Sequence, residues 1–280
     1  STIKWLFKPP FELKNITKSF PGVLAVQDVT LAAYSGEILA LVGENGAGKS
    51  TLMNILSGAF TGDSGMIFLD GQEVKISSPR RAQELGIAMI HQELALIPQM
   101  TVAQNIFLGR EPLFAAGTLV DTKVMQSKAQ GILNQLGLDF AVNALISDLS
   151  IAQRQMVEIA KAISIQSCVI ILDEPTSALS ERESGELFSL MRSLREQGKT
   201  LIYISHRMEE IFALSDRVAV MRDGQLVSIT RTKDLTVNSI VQMMVGRELK
   251  EFFPKTETQR GEVALEVRNL RSGAHLKDAS

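Results

Sequence analysis

Residues 43–51 read Gly43-Glu44-Asn45-Gly46-Ala47-Gly48-Lys49-Ser50-Thr51, between an apolar run at residues 38–42 and a helix-favouring run at residues 52–56. This order of strand, glycine loop and helix, with the spacing G-x-x-x-x-G-K-S, is the phosphate-binding loop. The glycines let successive backbone N–H groups turn inward around an anion, and the helix that begins there adds the positive end of its dipole. The sequence therefore predicts a binding site for a nucleoside triphosphate.

Two side chains of the loop have predicted roles at the phosphates. Lys49 can reach the β- and γ-phosphates, and the hydroxyl of Ser50 can bind Mg²⁺. A glycine-rich turn with an unrelated lysine is the alternative, but the strand before the loop and the helix after it argue against that interpretation. The predicted nucleotide-binding residues of the loop are Gly43, Asn45, Gly46, Ala47, Gly48, Lys49, Ser50 and Thr51.

The composition is that of a globular protein with a substantial core. The chain has 280 residues, of which 45% are hydrophobic and 21% charged. Its net charge of −2 gives no support for nucleic acid as a main partner, because phosphate backbones require a basic surface. The single cysteine, Cys168, excludes an internal disulfide, and the apolar residues 169–172 after it predict a thiol buried in the core.

No membrane-spanning segment is predicted. No apolar run approaches the ~18 residues that a membrane helix needs. Residues 4–8 are too few and too charged for a signal peptide. We therefore expect a soluble chain, whose role at a membrane would depend on a partner protein.

Predicted strands and helices alternate along the chain, which indicates an α/β fold. Strand signals dominate residues 11–42, with a turn expected at residues 18–22, and they return at residues 66–76 and 87–90. Residues 66–76 predict a hairpin, and Ser78 begins a short helix that Gly86 ends. Helical patterns take over from residue 92 to about residue 167, and they include an S-x-x-Q capping box that begins at Ser150. The simplest description is a nucleotide-binding core interrupted by a helical insert.

The end of the chain repeats its beginning. Residues 265–270 copy residues 11–16, and residues 276–279 echo residues 26–29 in the same order. Chance similarity of short strands is the alternative, but two matches in order favour a second copy of the domain. The predicted organisation is a tail at residues 1–10, a domain at residues 11–250, a linker at residues 251–262 and the start of the second copy at residues 263–280. We therefore expect the natural protein to continue beyond this chain.

Two carboxylates end the apolar run at residues 169–172. Asp173 would lie where a buried strand meets the phosphate loop and could bind Mg²⁺ directly or through water. Glu174 would face the γ-phosphate and could polarise an attacking water. A solvated strand end is the usual explanation for an isolated Asp-Glu pair, but a phosphate loop in the same chain makes the catalytic interpretation the stronger one.

Over about residues 11–250 the sequence resembles an ATP-binding-cassette (ABC) ATPase. The motifs that carry the resemblance occur in the family's order: residues 43–51, Gln92, Leu149-Ser150-Ile151-Ala152-Gln153, Asp173-Glu174-Pro175-Thr176-Ser177-Ala178-Leu179, and His206. The resemblance implies an α/β fold with a RecA-like P-loop NTPase core, an antiparallel β subdomain and an inserted α-helical subdomain. The two-copy organisation, the Ser-Ile-Ala-Gln signature and residues 157–162 are most similar to bacterial importers of simple sugars, in which one chain carries both ATPase domains.

The resemblance also implies roles for individual residues. Glu174 would orient the attacking water, Gln92 would contact Mg²⁺ and that water, and His206 would touch the γ-phosphate and help to fix Glu174. Phe20 would stack on adenine, where the family usually has tyrosine. The implied Mg²⁺ ligands are Ser50, Gln92 and Asp173. The signature residues, which would bind the ATP held by the opposite domain, are Leu149, Ser150, Ile151, Ala152 and Gln153.

Two places depart from the family's usual pattern. Ile151 and Ala152 replace the two glycines of the signature, and their side chains could crowd a phosphate at that helix start. The sugar-importer subgroup tolerates such changes. Ser180 stands where aspartate is commoner, in a segment that mediates contact between the domains, so coupling could be altered while hydrolysis survives.

The resulting prediction is the first ATPase domain of a bacterial monosaccharide importer, peripheral on the cytoplasmic face of the inner membrane. ATP and Mg²⁺ are the implied cofactors. The implied partners are integral membrane permease subunits, a periplasmic sugar-binding protein acting indirectly, and a second ATPase domain or a second copy of the chain. The alternative is a soluble tandem ABC ATPase acting on ribosomes or nucleic acid, against which the short linker and slightly acidic charge argue. The signature and the histidine disfavour a small-molecule kinase.

Residues 93–111 are the segment where we expect permease subunits to dock. The same segment could equally supply the core of the helical insert, and the sequence favours neither role. The apolar residues in question are Leu94, Leu96, Ile97, Met100, Val102, Ile106 and Phe107.

Overall fold

The computed structural model describes residues 11–91, 95–114, 117, 119–246, 268, 270–272 and 276–279. The chain divides into two compact units, Ser1–Arg247 and Glu248–Ser280. Gln92 lies outside the described residues, and so do the predicted tail and linker.

The elements of the first unit alternate between strands and helices. In chain order they are β1 (Phe11–Phe20), β2 (Val23–Ala33), β3 (Ile38–Val42), α1 (Lys49–Leu56), β4 (Ser64–Leu69), β5 (Gln72–Val74), α2 (Pro79–Glu84), β6 (Ile87–Ile90), α3 (Val102–Ile106), α4 (Thr122–Gln135), α5 (Ile151–Ser164), β7 (Val169–Asp173), α6 (Glu181–Glu196), β8 (Thr200–Ile204), α7 (Met208–Leu214), β9 (Arg217–Arg222), β10 (Gln225–Arg231) and α8 (Val237–Val245). Short 3₁₀ turns occur at Ile146–Asp148 and Thr232–Asp234.

Two sheets organise the first unit. A four-stranded antiparallel sheet has the order β2-β1-β4-β5, and a six-stranded sheet has the order β10-β9-β3-β8-β7-β6. All neighbours in the larger sheet are parallel except the edge pair of β9 and β10. Strand β3, which precedes the phosphate loop, is therefore central, with β8 on one side and β9 on the other.

Strand β1 is longer than the sequence predicts. A turn was expected at residues 18–22, but β1 continues to Phe20 and only Pro21 and Gly22 form the turn. The pairing of β1 with β2 shifts register between Leu13 and Ile16, and Asn15 there has a φ of 52°. The bulge absorbs this shift in register, so that the pairing of β1 with β2 continues as far as Phe20 and Val23.

The strand β3 is buried on both faces, which explains its unbroken apolar sequence. Leu39 and Leu41 pack into the core shared with the antiparallel sheet and α1. Ala40 and Val42 face the opposite side and pack with residues of β9, α7 and α8. The phosphate loop thus begins from a strand that is fixed on every side.

The described residues between β6 and β7 contain helices α3, α4 and α5 and no named strand. In the segment that the sequence assigned equally to docking and to core, Val102, Ile106 and Phe107 are buried. They belong to the core that joins α3, α4 and α5 to the larger sheet. Ile97 remains 38% exposed, and Leu94 lies outside the described residues.

The helix start predicted from the capping box at Ser150 is confirmed. Ser150 and Gln153 form a reciprocal capping box at α5, and Ser180 and Glu183 do the same at α6. Asp121 caps α4 through the backbone N–H of Val124. None of the described helices is both long and apolar enough to cross a membrane.

The prediction that Cys168 is buried in the core is wrong. Cys168 is exposed, because it precedes β7 at the edge where the chain enters the sheet. Its sulfur lies 3.4 Å from the carbonyl oxygen of Gly86, and partial burial of the thiol, followed by the charge of Asp70, raises its pKa. The apolar run after it begins one residue too late to bury it.

The described residues of the second unit form two short antiparallel strands, β11 (Leu270–Ser272) and β12 (Leu276–Ala279), with Leu270 opposite Ala279. Most of the predicted repeat at residues 265–270 lies outside the described residues. The second copy of the domain remains a prediction.

Candidate nucleotide-binding site

The ends of three neighbouring parallel strands bring the predicted site residues together. Strand β8 lies between β3 and β7, and all three run in the same direction. Their carboxyl ends therefore meet at one edge of the sheet. The phosphate loop follows β3, His206 follows β8, and Glu174 follows β7, so motifs far apart in sequence share this edge.

A cavity of about 460 Å³ opens at this edge, within the size range of small-molecule sites. Its lining contains seven of the eight predicted loop residues and both carboxylates. The residues that line it are Val23, Ala25, Asn45, Gly46, Ala47, Gly48, Lys49, Ser50, Thr51, Asp173, Glu174 and Ile204.

Two glycines of the loop are required by close backbone packing. A Cβ at Gly43 would collide with the carbonyl oxygen of Met221, and one at Gly48 would collide with that of Ala25. Gly48 also has a φ of 96°, a conformation that side chains rarely adopt, and it is the N-cap of α1. Gly46 has a φ of 83° but open space around it, so only its backbone conformation favours glycine.

Lys49 is held across the loop by backbone oxygens. Its Nζ donates to the carbonyl of Gly43 at 2.8 Å and to that of Glu44 at 3.0 Å. Burial lowers the pKa of this ammonium, while the charges of Glu174 and Asp173 oppose that shift. The cation is thus held by the loop backbone in the lining of the cavity, which it shares with both carboxylates.

The two carboxylates have different environments. Burial raises the pKa of Asp173, the charge of Glu174 raises it further, and the charges of His91 and Lys49 oppose the shift. Glu174 adopts a left-handed backbone conformation with a φ of 45°, and its N–H donates to the carbonyl of Ile204 at 3.0 Å. Non-glycine residues in this conformation are frequent at functional sites, where the surrounding structure holds them.

His206 contacts Glu174 directly. Its Nδ1 lies 3.1 Å from Oε1 of Glu174, and a proton on Nδ1 makes this a hydrogen bond to the carboxylate. The side chain of His206 is 69% exposed whereas that of Glu174 is 24% exposed, so the imidazole covers the carboxylate on the solvent side. The structure therefore brings together the two side chains that the sequence assigns to the attacking water and the γ-phosphate.

The signature residues lie apart from this cavity. Among the described residues that line it, none belongs to the segment 149–153. Ser150 caps α5, and its hydroxyl accepts the N–H of Gln153 at 3.2 Å. Ala152 is buried, and Ile151 is 52% exposed. Of the two side chains expected to crowd a phosphate, only Ile151 therefore reaches the surface.

Phe20 also lies outside the residues that line the cavity, as far as the structure describes them. Its ring packs edge-on against Phe60, with centroids 5.4 Å apart, and Lys18 Nζ lies 5.6 Å from the ring centroid. Phe20 pairs with Val23, which does line the cavity. The ring of Phe20 is thus separated from the cavity lining by the β-turn at Pro21 and Gly22. Its contact with adenine remains a prediction.

The residues present suit Mg²⁺ held together with phosphate. Within the described part of the chain, no group of three or more His, Cys, Asp or Glu residues could hold a metal alone. Ser50 and Asp173 nevertheless line the same cavity and offer a hydroxyl and a carboxylate oxygen. Mg²⁺ commonly takes one or two carboxylates and completes its octahedron with water and substrate phosphates.

Sequence reasoning missed three contacts that shape the site. The N–H of Gly224 donates to the carbonyl of Ala47 at 3.2 Å, which ties the loop to the turn after β9. Arg154 donates to the carbonyls of Leu149 and Ser147 and braces the signature segment. Glu210 accepts hydrogen bonds beside Glu174 and His206. In the sequence, Glu210 could have been noticed because it lies four residues before Leu214, which puts an acid on the apolar face of α7.

The profile of the ABC transporter family matches residues 26–177 of this chain. The match covers more than half of the sequence and includes the phosphate loop, the signature segment and both carboxylates. The chain belongs to the ABC transporter family.

Curated relatives match nearly the whole chain. A ribose import ATP-binding protein of Rubrobacter xylanophilus is 45% identical over 98% of this chain and 55% of its own length. A ribose import ATP-binding protein of Clostridium perfringens is 44% identical over 97% of this chain and 54% of its own length. A relative from Geobacillus kaustophilus, named for ribose, galactose and methyl galactoside import, is 49% identical over 96% of this chain and 54% of its own length. The chain thus spans about half the length of the curated relatives it matches.

Solved structures show the same fold. The ADP conformation of an ATP-binding cassette of an ABC transporter has a TM-score of 0.74 and 25% identity, covering 86% of this chain and all of that one. A nucleotide-free ATP-binding cassette has a TM-score of 0.73 over 86% of this chain and 96% of that one. The predicted fold, a P-loop core with an antiparallel sheet and a helical insert, is confirmed.

Proposed function

We propose that this chain binds ATP with Mg²⁺ at the cavity and hydrolyses it, as an ATPase domain of a bacterial monosaccharide importer. The observation that carries the hydrolytic part is the 3.1 Å contact between His206 and Glu174, at the mouth of a cavity built on a phosphate loop. A binding site alone would not need a carboxylate held by a histidine on that side.

The reaction is the transfer of the γ-phosphoryl group to water. The water oxygen forms a bond to phosphorus, and the bond between phosphorus and the β,γ-bridging oxygen breaks, so that ADP leaves with the electron pair. Glu174 accepts a hydrogen bond from the attacking water and takes up its proton as the bond forms. When bound, Mg²⁺ neutralises charge on the phosphate oxygens.

The chain's other residues hold and cover the phosphates. Backbone N–H groups of the loop and the N-terminus of α1 bind the phosphate oxygens, and Lys49 supplies the cation. His206 reaches the γ-phosphate while its Nδ1 fixes Glu174. Phe20 stacks on adenine, and the role proposed for Gln92, from its place in the family's motif order, is contact with Mg²⁺ and the attacking water.

A second nucleotide-binding domain, or a second copy of the chain, completes the site from the other side. The support is the position of the signature segment, which is away from the chain's own cavity although it begins a 14-residue helix. Ile151 is exposed there and can pack beside a nucleotide held by the partner. The Ser180 segment contributes to the contact between the domains.

Import of a monosaccharide is supported by the names of the relatives, which include ribose import ATP-binding proteins. Permease subunits would dock in a groove of about 220 Å³ between the larger sheet and the helical insert. Its lining joins His91 beside β6 to Ala95, Arg110, Glu158 and Lys161 of the insert. A segment inserted there would contact both parts that flank Gln92. The chain would then lie on the cytoplasmic face of the membrane, with the sugar-binding protein acting through the permease.

The docking proposal has a direct test. Ala95→Arg places a long cation in the groove, where Ala95 is exposed. The expected result is normal ATP binding with sugar uptake reduced at least tenfold, whereas Ser127→Arg on the exposed face of α4 leaves uptake unchanged. Uptake that is equal in both variants would refute docking at this groove.

The importer proposal is tested by tagging the natural full-length protein in its own cell and solubilising the membranes gently. Co-purification of an integral membrane subunit, together with loss of uptake of a monosaccharide on deletion, is the expected result. Co-purification of ribosomes or DNA instead would refute transport and leave the ATP chemistry standing.

A further inference from the structure

Glu210 is a buried acid that the proposed function does not use. It lies on α7, is 5% exposed, and shares a helix face with Leu214, which packs in the core. A carboxylate removed from water is costly unless hydrogen bonds and a counter-charge replace its hydration. The contacts of Glu210 therefore indicate why an acid occupies this position.

Four side chains compensate the carboxylate of Glu210. Thr176 Oγ1 donates at 2.8 Å to Oε1 and lies 3.0 Å from Oε2. Tyr203 donates its hydroxyl at 2.6 Å, and Ser205 donates at 2.8 Å. Arg207 completes the set, with Nη1 at 2.8 Å from Oε1. The buried carboxylate is thus fully hydrogen-bonded.

Two of these partners flank the catalytic pair. Thr176 comes two residues after Glu174, and Ser205 immediately precedes His206. Ser205 also accepts the backbone N–H of Arg207 at 3.1 Å, so the histidine turn closes around the same hydroxyl. Glu210 therefore joins the turn that carries Glu174 to the turn that carries His206.

We propose that Glu210 is a positioning residue that holds Glu174 and His206 at hydrogen-bond distance by binding Thr176 and Ser205 at once. The inference rests on the proposed hydrolysis of ATP. The pairing of β7 with β8 ends with Asp173 opposite Ile204, where the Glu174 N–H donates to the Ile204 carbonyl, and the catalytic side chains lie on the turns beyond that point. Glu174 also adopts a left-handed conformation that the surrounding structure must hold. A shared buried acceptor provides that support, because moving either turn breaks a hydrogen bond in a water-poor interior.

The state of Tyr203 agrees with this arrangement. Burial and the neighbouring Glu210 both raise the pKa of the Tyr203 hydroxyl, so it remains a donor throughout the neutral range. Tyr203 lies on β8, and its hydroxyl donates to the carboxylate of Glu210. It anchors the carboxylate, while Thr176 and Ser205 connect it to the site.

A purely structural role for Glu210 makes a different prediction. In that case its replacement lowers stability, and the folded fraction still hydrolyses ATP at the normal rate. The two roles are separated by measuring kcat and KM for ATP well below the melting temperature of each variant.

The kinetic test compares Glu210→Gln with Glu209→Gln, its exposed neighbour on the same helix, in the full chain. The expected result for Glu210→Gln is a kcat reduced at least tenfold with a KM for ATP within twofold of the original, while Glu209→Gln changes neither. Thr176→Val, which keeps the shape and removes the hydroxyl, should lower kcat three- to tenfold and should have no further effect in the Glu210→Gln background. An unchanged kcat in Glu210→Gln, or fully multiplicative effects in the double variant, would overturn the proposal. If Glu210→Gln fails to fold, Thr176→Val alone decides the outcome by the same kcat and KM criteria.

A second readout does not depend on turnover. The chain has only three histidines, so the ring signals of His206 can be assigned by substitution and followed by NMR. Glu174→Gln should shift the His206 signals in the original chain and leave them unshifted in the Thr176→Val or Glu210→Gln background, where the contact is lost. A shift of equal size in every background would contradict positioning by Glu210. Failure of hydrolysis in the original chain, with this NMR pattern intact, would refute the proposed function and not the positioning role.

Discussion

The phosphate loop and the signature segment both end in the N-terminus of a helix, yet they are built differently. Gly48 begins α1 with no side chain to cap it, so the first N–H groups of that helix are left for an anion. Ser150 begins α5 with a complete capping box, in which its own hydroxyl and the Gln153 amide satisfy N–H groups of the helix start. Lys49 and two carboxylates surround the first helix start, whereas the second lies outside their cavity.

The difference explains how one chain can carry two phosphate-related motifs with unequal roles. In the loop, no side chain caps α1, and Lys49, Asp173 and Glu174 line the same cavity as the helix start. In the signature segment, the capping box already occupies the Ser150 hydroxyl and the N–H of Gln153. We infer that the loop sets nucleotide affinity and the signature acts on a nucleotide that is already bound.

The largest expected effect is on turnover, at the catalytic edge of the loop's cavity. Glu174→Gln should bind ATP normally and lose roughly 100–1,000-fold in kcat, because the amide cannot take the proton of the attacking water. ATP-dependent trapping of the closed dimer, seen by gel filtration, should accompany this loss. Glu196→Gln, on the exposed end of α6, is the control, and normal turnover in Glu174→Gln would exclude its role.

Lys49→Ala sharpens the comparison through affinity. Charge-assisted hydrogen bonds to phosphate contribute about 2–3 kcal/mol, so ATP binding should weaken roughly 30–160-fold. Titration calorimetry measures this change against Lys128→Ala, an exposed lysine of α4. Equal affinities in the two variants would contradict the phosphate-loop interpretation.

Substitutions of the glycines test how closely the loop is packed against the neighbouring backbone. Gly48→Ala requires both a left-handed residue and a shift of the Ala25 carbonyl, and should reduce the free energy of unfolding by about 2–3 kcal/mol. Gly46→Ala meets open space and should cost about 1 kcal/mol. Urea unfolding of the nucleotide-free chain compares the two, and equal losses would show that backbone packing around Gly48 is unimportant.

Ser150→Ala tests the other side of the comparison. Removal of the cap should reduce the free energy of unfolding by about 1 kcal/mol, the same as Thr236→Ala at the matching capping box of α8. ATP affinity should stay within twofold in both, and only Ser150→Ala should lower turnover. Weakened ATP binding in Ser150→Ala alone would mean that the signature contributes to binding within one chain.

The smallest effect concerns the charge of Asp173. Because its pKa in the folded chain is raised, the stability it contributes is present below its ordinary value of 3.8 and is lost as the pH rises through the folded pKa. At pH 7 the ionised carboxylate therefore destabilises the nucleotide-free chain. Asp173→Asn should increase the free energy of unfolding at pH 7 by about 0.5 kcal/mol, while turnover falls. Asp139→Asn, an exposed residue, should show neither change, and destabilisation by Asp173→Asn at pH 7 would contradict the sign.

Much of this arrangement could be predicted because its signals are local. The phosphate loop, the Asp173-Glu174 pair and the cap at Ser150 each depend on residues a few positions apart. The order of the strands in the sheet depends on residues far apart in sequence. Because β8 lies between β3 and β7, His206 after β8 comes to lie beside Glu174 after β7.

Contacts between distant segments could not be predicted, because no local pattern indicates which segments meet in the fold. Nothing near Gly48 reveals that the Ala25 carbonyl fills the space where a side chain would be. In the sequence, Glu210 resembles any polar residue of a short helix, and only the structure shows that Thr176 and Ser205 donate hydrogen bonds to it. The predicted burial of Cys168 is wrong because it depends on where β7 begins, and β7 begins one residue later, at Val169.

The most direct test of the central claim is calorimetric titration of the chain with ATP and Mg²⁺, beside Lys49→Ala and Ser150→Ala. The predicted result is one site per chain, retained in Ser150→Ala and lost or weakened at least 30-fold in Lys49→Ala. Binding that survives Lys49→Ala, or that disappears in Ser150→Ala, would contradict the division of roles between the loop and the signature.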